Sequence, residues 1–498
     1  MITSHDFSSN YLVLVPQELS FYNLFKMLWS NEIDKMGFVH SQKDREDYLH
    51  NRLIVVFFSL LFQKILLLFS KTLAKFGSIV EFSLNLLSSN GGLFMLLKNF
   101  YQGKMEIPKP ESEKFISFIG QIDKRVELER SIKPRDCTYF SALTVMASKL
   151  SYENHAFVKT IVQDHWKMEL IGFYHFWNDF QEKHATKAFI LQDKTPNPNI
   201  ILVVFRGTEI FDANAWCTDI DLSWYEFPGM GKIHGGFIKS LGLQRKTGWP
   251  KHVKPDPDRP VAYYFIREKL RELLRLNRRA KFIITGHSLG GALAALFPAV
   301  LALHEETWLL NRLHGIYTYG QPRVGNDKFN KFMEIVLHKH GCKYFRFVYS
   351  NDIVTRLPTN APNFMFKHFG TCLYFDSCYK GKEVEEEAVK NYFSFCGMIQ
   401  HFFVALWELV RSFLIPYIGG PQYTETWLLK AIRVISVVFP FLFPGLAAHN
   451  MQDYVNLTRL GSQHLFINLQ DNVILESYHS SDDEPCYDIA PEYEEIIF

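Results

Sequence analysis

The chain has 498 residues with 47% hydrophobic content, and 45 of its residues are Phe. It can therefore bury one large core and still keep apolar side chains for another surface, a lipid surface being the obvious candidate. With 54 basic and 52 acidic residues the net charge is +2, which excludes the global field expected of a partner for nucleic acid or acidic polymers. Seven cysteines, with no CxxC pair and no metal-ligand spacing, argue against a disulfide framework or a metal site and fit reduced thiols facing the cytosol.

From the N-terminus, Met1 to Leu19 carries His5, Asp6 and Glu18 and lacks the basic start and apolar core of a secretory leader. The sequon at Asn456 and Thr458 is accordingly expected to be unused. Leu53 to Ser70 is an apolar run broken only by Gln63 and Lys64. At ~18 residues it sits near the lower limit for a spanning helix. A spanning helix, a monotopic or hairpin insertion and a buried helical layer all fit it. Residues 1–103 are thus assigned as a region that associates with a membrane or lipid droplet, and 104–135 as a linker punctuated by Pro108 and Pro110.

An enzyme domain is expected over 136–478. Ala188–Gln192 and Ile200–Phe205 form a strand pair, and Tyr263–Leu276 has helical apolar spacing at Ile266, Leu270, Leu273 and Leu274. A strand follows at Lys281–Thr285, a helix of small residues at Gly290–His304, and strands at Gly315–Tyr319 and Tyr344–Tyr349. Alternation of this kind gives an α/β class with a mostly parallel central sheet. The basic, Pro-rich stretch Arg245–Arg259 reads as a solvated loop. Residues 372–448 read as an insertion with a charged patch at Lys380–Lys390 and two apolar pieces, Phe402–Tyr417 and Val434–Ala448. Pro440 and Pro444 make the second a poor straight helix, so it is either a surface insertion or a buried loop. Residues 479–498 form an acidic tail.

The chemistry begins at ITGHSLGGALAA, residues 284–295, where Gly286, His287, Ser288 and Gly290 carry the nucleophile-elbow pattern between a strand and a helix. A tight turn must lift the serine hydroxyl off the sheet, and the crowding two positions either side requires glycine. A serine needs a base and an orienting acid, in the order Ser, acid, His for this type of fold. Asp352, in the turn after the strand KYFRFVYS, is the favoured acid over Asp327. Among His368, His401, His449, His464 and His479, the choice falls on His449, in a loop between the uncharged apolar stretch and a final strand-like segment; His401 opens an apolar helix and reads as packing. The oxyanion needs two N–H donors: the backbone of Leu289, and Thr208 at the strand end VVFRGTE, which can also offer its hydroxyl.

FRGT at Phe205–Thr208, IHGGF at Ile233–Phe237, TGHSLGGALA from Thr285, YTYGQPRVGN at Tyr317–Asn326 and NDIVTRLP at Asn351–Pro358 together resemble the class 3, fungal-type lipases. The match covers roughly Asp136 to Asn468. The apolar N-terminal region and the long insertion before His449 further resemble the plant oil-body triacylglycerol lipases. The resemblance implies an α/β-hydrolase with Ser288, Asp352 and His449 as its triad and Thr208 in the oxyanion hole. It implies a lid through Ile210, Phe211 and Trp216, and no metal or organic cofactor. The interval from Asp352 to His449 is longer than in the compact fungal enzymes, and the basic stretch Arg245–Arg259 has no counterpart there. The expected function is hydrolysis of triacylglycerol at a lipid-droplet or membrane surface facing the cytosol. The alternatives are a phospholipase A1 or galactolipase with the same triad, and a non-catalytic lipid-droplet scaffold.

Overall fold

The computed structural model describes residues 7–28, 37–41, 53–128, 132, 136, 138–194, 200–358, 366–385, 392, 394–440, 443–461 and 465. Among these the strands are β1 (Asn10–Leu14), β2 (Val39–Ser41), β3 (Met168–Asn178), β4 (Lys183–Asp193), β5 (Ile200–Phe205), β6 (Trp224–Phe227) and β7 (Gly231–His234). They continue as β8 (Lys281–His287), β9 (Leu313–Tyr319), β10 (Gly325–Asn326), β11 (Lys343–Tyr349), β12 (Phe366–Lys367), β13 (Thr371–Phe375) and β14 (Gly381–Val384). The helices that bear on the site are α1 (Leu53–Ser89), α2 (Ala213–Ile220), α3 (Leu289–Leu303), α4 (Phe395–Gly419), α5 (Trp427–Val438) and α6 (Met451–Leu460).

The main sheet has the order β14-β13-β11-β9-β8-β5-β4-β3. Strands β5, β8, β9, β11 and β13 are mutually parallel, and antiparallel partners close both edges. The parallel strands are apolar on both faces because both are covered. In β5, Ile201, Val203 and Phe205 join one core cluster while Leu202 and Val204 join the other. On one face α3 packs its small residues Ala292, Ala294 and Ala295, all fully buried, against the sheet. This is the α/β-hydrolase arrangement, and it directs the loops after β5, β8, β9 and β11 to one end of the sheet.

The N-terminal region shares this body. β1 pairs antiparallel with β6 in a second, six-stranded sheet. α1 is a continuous helix of 37 residues, about 55 Å long. Val56, Phe57 and Leu60 bury against Leu12, Leu14 and Trp224, while Ile54, Phe58, Phe62, Leu68 and Phe69 on other sides stay exposed. Residues 104–128 run along the body: Asn85 of α1 binds both the carbonyl and the N–H of Ile116, and Arg125 reaches Asn456 of α6 at 2.8 Å.

Arg245–Arg259 is also fastened down. Arg245 contacts Glu182 and the carbonyl of Phe180, and Trp249 packs edge-on to Tyr263. The segment after His449, expected to be strand-like, is instead the helix α6. Asn450 caps it by accepting from the N–H of Asp453, and Met451, Tyr454, Val455 and Thr458 point into the protein at helical spacing. Asn456, in the sequon, is buried within α6 and donates to the Tyr379 hydroxyl.

The insertion between Asp352 and His449 is anchored by a buried ion network. Arg433 of α5 pairs with Glu425 at 2.6 Å, with Glu408 of α4 at 3.2 Å and with Asp453 of α6 at 3.1 Å. Arg411 of α4 pairs with Asp453 at 2.8 Å and donates to the Tyr349 hydroxyl. Burial works to raise the Asp453 carboxyl, but the two guanidiniums outweigh it and hold the group below its ordinary range. Removing one cation leaves buried carboxylates uncompensated. Arg433→Met is therefore expected to lose about 3–5 kcal/mol of stability, read as a fall in the urea midpoint; an unchanged midpoint would remove the network as the anchor of the insertion.

Candidate active site

Ser288 lies where β8 runs into α3, with φ 57° and ψ −130°, a conformation that non-glycine residues adopt only when the surroundings enforce it. A Cβ on Gly286 would come within 2.2 Å of the Gly290 backbone, and one on Gly290 within 2.3 Å of the Phe205 carbonyl oxygen. Both glycines are thus demanded by close approach, as the sequence pattern implied. The Ser288 N–H is held by the carbonyl of Tyr319 at 2.9 Å, and the residue is almost completely covered. Leu289 follows at the first position of α3, where its N–H is one of the helix's unsatisfied donors.

Asp352 is fully buried after β11. One carboxylate oxygen accepts from the N–H of Val354 at 2.8 Å, and the other accepts from the Tyr454 hydroxyl and pairs with His449 Nδ1 at 2.8 Å. Burial and the Asp352 charge keep the Tyr454 phenol well above its ordinary range, so it remains a donor. With Asp352 on Nδ1, the other ring nitrogen of His449, Nε2, is buried and has no hydrogen-bond partner. The His449 ring stacks on His287, the residue before Ser288, at 4.4 Å between centroids. Burial, and next the charge available to His449, push His287 far below the usual histidine range. A neutral His287, bonded to the Tyr152 hydroxyl at 2.7 Å, is a flat, uncharged backing for the His449 ring.

Thr208 is buried at the end of β5, and its hydroxyl donates to Asp219 Oδ2 at 2.6 Å. Asp219, on α2, was given no role from the sequence. Burial is the largest influence on its carboxyl and raises it to about 7, against the opposing effects of the Thr208 bond and the charge available to His449. Of the expected lid residues, Ile210 accepts from the Trp216 indole at 3.0 Å. Phe211 meets Phe76 of α1 and Phe118 edge-on. The segment through α2 is bonded to α1 as well: Ser59 donates to the Ile220 carbonyl at 2.6 Å, and Phe211 fills the space that a side chain on Gly77 would occupy.

The other candidates are accounted for. Asp327 is a half-buried helix-start residue paired with Lys331 and Lys367. His368 binds the Thr355 carbonyl, and His401 is packed against Tyr392 at 4.1 Å. His464 and His479 lie outside the described residues. Three contributors escaped sequence reasoning besides Asp219. Tyr454 and Tyr152 look like ordinary core aromatics in the sequence, and Gly320 belonged to a quoted motif with no function attached. A Cβ on Gly320, at φ +58°, would stand 2.8 Å from His449 Cε1 and 2.9 Å from Asp352 Oδ2; only glycine leaves that pair its room. Among the described residues, no group of His, Cys, Asp and Glu could hold a metal ion.

A strained serine at a strand-to-helix turn, near a hydrogen-bonded Asp–His pair whose acid follows a parallel strand, is the arrangement of the α/β-hydrolase class. Comparison with known proteins narrows it. The family model for lipase (class 3) matches residues 202–361. The triacylglycerol lipase OBL1 of Nicotiana tabacum is 40% identical over 482 residues, covering 82% of this chain and 83% of that protein. OBL1 of Arabidopsis thaliana is 39% identical over 496 residues, covering 91% and 95%. A solved lipase from Rhizopus microsporus var. chinensis matches 48% of this chain and 72% of its own, with 26% identity and a TM-score of 0.35. The chain belongs to the class 3 lipase family.

Asp219 yields a pH test. Because the folded protein raises its carboxyl from the ordinary 3.8 to about 7, the fold keeps that proton to a higher pH than the unfolded chain does. Wild-type stability is therefore penalised progressively as pH rises from about 4 to about 7, and by a constant amount above. Asp219→Asn removes the ionisation, so its denaturation midpoint, relative to wild type, is expected to be higher at pH 8 than near pH 4. An offset independent of pH would contradict this reading.

Proposed function

We propose that this lipase hydrolyses triacylglycerol to diacylglycerol and fatty acid through an acyl-enzyme, with Ser288 as nucleophile, His449 as base and Asp352 as the acid that orients it. The observation that supports this most directly is the His449 ring, fixed by Asp352 on Nδ1 and leaving a buried, unpartnered Nε2 beside the elbow that carries Ser288. The Ser288 hydroxyl attacks the ester carbonyl as its proton passes to His449 Nε2. The resulting oxyanion is met by the N–H of Leu289 and by Thr208, oriented by Asp219. Collapse expels the glyceryl oxygen, which takes the proton from His449, and leaves the acyl group on Ser288. Water, deprotonated by His449, then releases the fatty acid and restores the serine. The names of the plant relatives favour triacylglycerol as substrate.

The site acts at a lipid-droplet or membrane surface reached through the exposed apolar side of α1. α2 is the lid, and α1 holds it closed in water. Gly77 packs closely against the segment leading into α2, since any Cβ there falls 2.5 Å from the Phe211 side chain. Gly77→Val is expected to pry the lid up and raise hydrolysis of a soluble short-chain ester several-fold in the absence of an interface. Activity at or below wild type in folded protein would count against α1 as the clasp.

The decisive experiment is hydrolysis of emulsified triolein and of phosphatidylcholine by wild type and Ser288→Ala side by side. Triolein cleavage that disappears in the variant is the expected result. Cleavage of phospholipid alone would assign the same machinery to a phospholipase, and no cleavage of either by folded protein would favour a scaffold.

A further inference from the structure

The helices α4 and α5 are inside out for water. Along α4, apolar exposed positions recur every three or four residues, including Ile399, Phe403, Trp407, Val410, Phe413 and Tyr417, with Gln400 a polar exposed residue near the start. The opposite stripe is buried and polar, with His401, Glu408, Arg411 and Ser412. Glu408 and Arg411 are the only Asp, Glu, Lys or Arg residues in α4, and both turn inward to Tyr349, Arg433 and Asp453. α5 repeats the inversion: Arg433 and Ser436 are buried, while Trp427, Val434, Ile435 and Val438 face out.

We propose that the outer face of the α4–α5 hairpin is a second lipid-docking surface, which lies in the acyl region of a lipid monolayer and sets the His449 loop at the interface. Three observations select lipid as the occupant. The outer side chains of α4 are uncharged and match acyl chains, with Lys430 of α5 lying over the Phe413 ring at 4.6 Å, and a stripe of this length goes beyond the scattered apolar residues normal on a soluble surface. The length of α4, 25 residues, would suffice to cross a bilayer. Its inner stripe, however, is bonded to the body at Glu408 and Arg411, and Ile415 sits in the main core, so the helix lies flat and offers only its outer side. The hairpin is also tied to α1 through a short connecting helix. Thr426 donates to the Ile122 carbonyl at 2.9 Å, and the N–H of Phe118, in the same short helix, binds Glu81 of α1.

The hairpin also reaches the site. Arg411 and Arg433 converge on Asp453, whose own N–H is held by the side chain of Asn450, the residue after His449. A hairpin resting on lipid thereby carries His449 with it as one rigid unit. The inference rests on the lipase reading for the identity of the surface, but binding can be measured without catalysis.

The test uses the full chain with Ser288→Ala, floated with triolein droplets coated in phosphatidylcholine. Adding Phe403→Glu and Phe413→Glu is expected to lower the droplet-bound fraction at least tenfold. Adding Ile335→Glu, at an exposed apolar residue of the helix Asp327–Lys339, is expected to leave it unchanged. Thermal unfolding is followed in parallel; should the Glu pair lower the midpoint, Phe403→Ser with Phe413→Ser carries the test. Undiminished flotation of a folded pair variant overturns the proposal. So does a change from dimer to monomer in sedimentation with flotation intact, which would assign the face to a second copy of the chain. Wild type that floats by this face but cleaves no acyl ester would sink the lipase reading and leave the docking surface standing.

Discussion

The hydrogen bond between His449 Nδ1 and Asp352 Oδ2, 2.8 Å long, joins residues 97 positions apart, with an apolar insertion in between. A loop of that length can close in many ways, and its closure entropy grows only slowly with length. The geometry is imposed locally instead. Tyr454 holds the same carboxylate oxygen from one turn of α6, Asn450 caps that helix, and Gly320 leaves the pair its space. Asp352 thus reaches His449 as an ionisable group with its lone pairs taken, which a buried carboxylate requires.

The same logic explains the buried ions of the insertion. Two guanidiniums among three carboxylates are a poor source of net stability compared with a packed apolar core. What they supply is direction. An apolar helix pair can dock on a hydrophobic core in several registers, whereas Arg411 and Arg433 must meet Asp453, Glu408 and Glu425. Their burial also leaves the apolar side chains outside, so the requirement of specific docking and the exposure of a lipid-like face arise from one inversion. α1 solves a similar problem with Gln63 and Asn85 turned inward and Phe58, Phe62, Phe69 and Phe76 turned out.

Much of the site was legible in the sequence because its chemistry leaves tight local marks. Gly286, Ser288 and Gly290 sit within one turn whose sterics admit only glycine at the flanks. The alternation of β-branched runs with small-residue helices gave the parallel sheet, since strands buried on both faces must be apolar throughout. Ser288, Asp352 and Thr208 all follow strand ends, which pattern alone can locate. His449 was reached by elimination among histidines, and its bond to Asp352 is a tertiary fact. α6 reads as strand-like in the sequence because its apolar and polar residues do not separate cleanly: Met451 to Thr458 are all buried, so the 3.6-residue contrast between faces is weak.

Composition and motif by themselves determined the class of enzyme, the tight glycine-flanked turn at Ser288 and the presence of excess apolar surface. These depend on contacts within a few residues or on totals over the chain. Only the tertiary structure decided that Asp219 holds Thr208, that Tyr152 holds His287 against the His449 ring, and that Gly77 of α1 lies against Phe211. It alone decided which side of α4 faces the protein. Apolar spacing announces an amphipathic helix but not its polarity of docking. An apolar stripe by itself would turn inward in water; here five ionic groups, brought together from three separate segments, are paired with one another inside the protein, and that pairing leaves the apolar stripe outward.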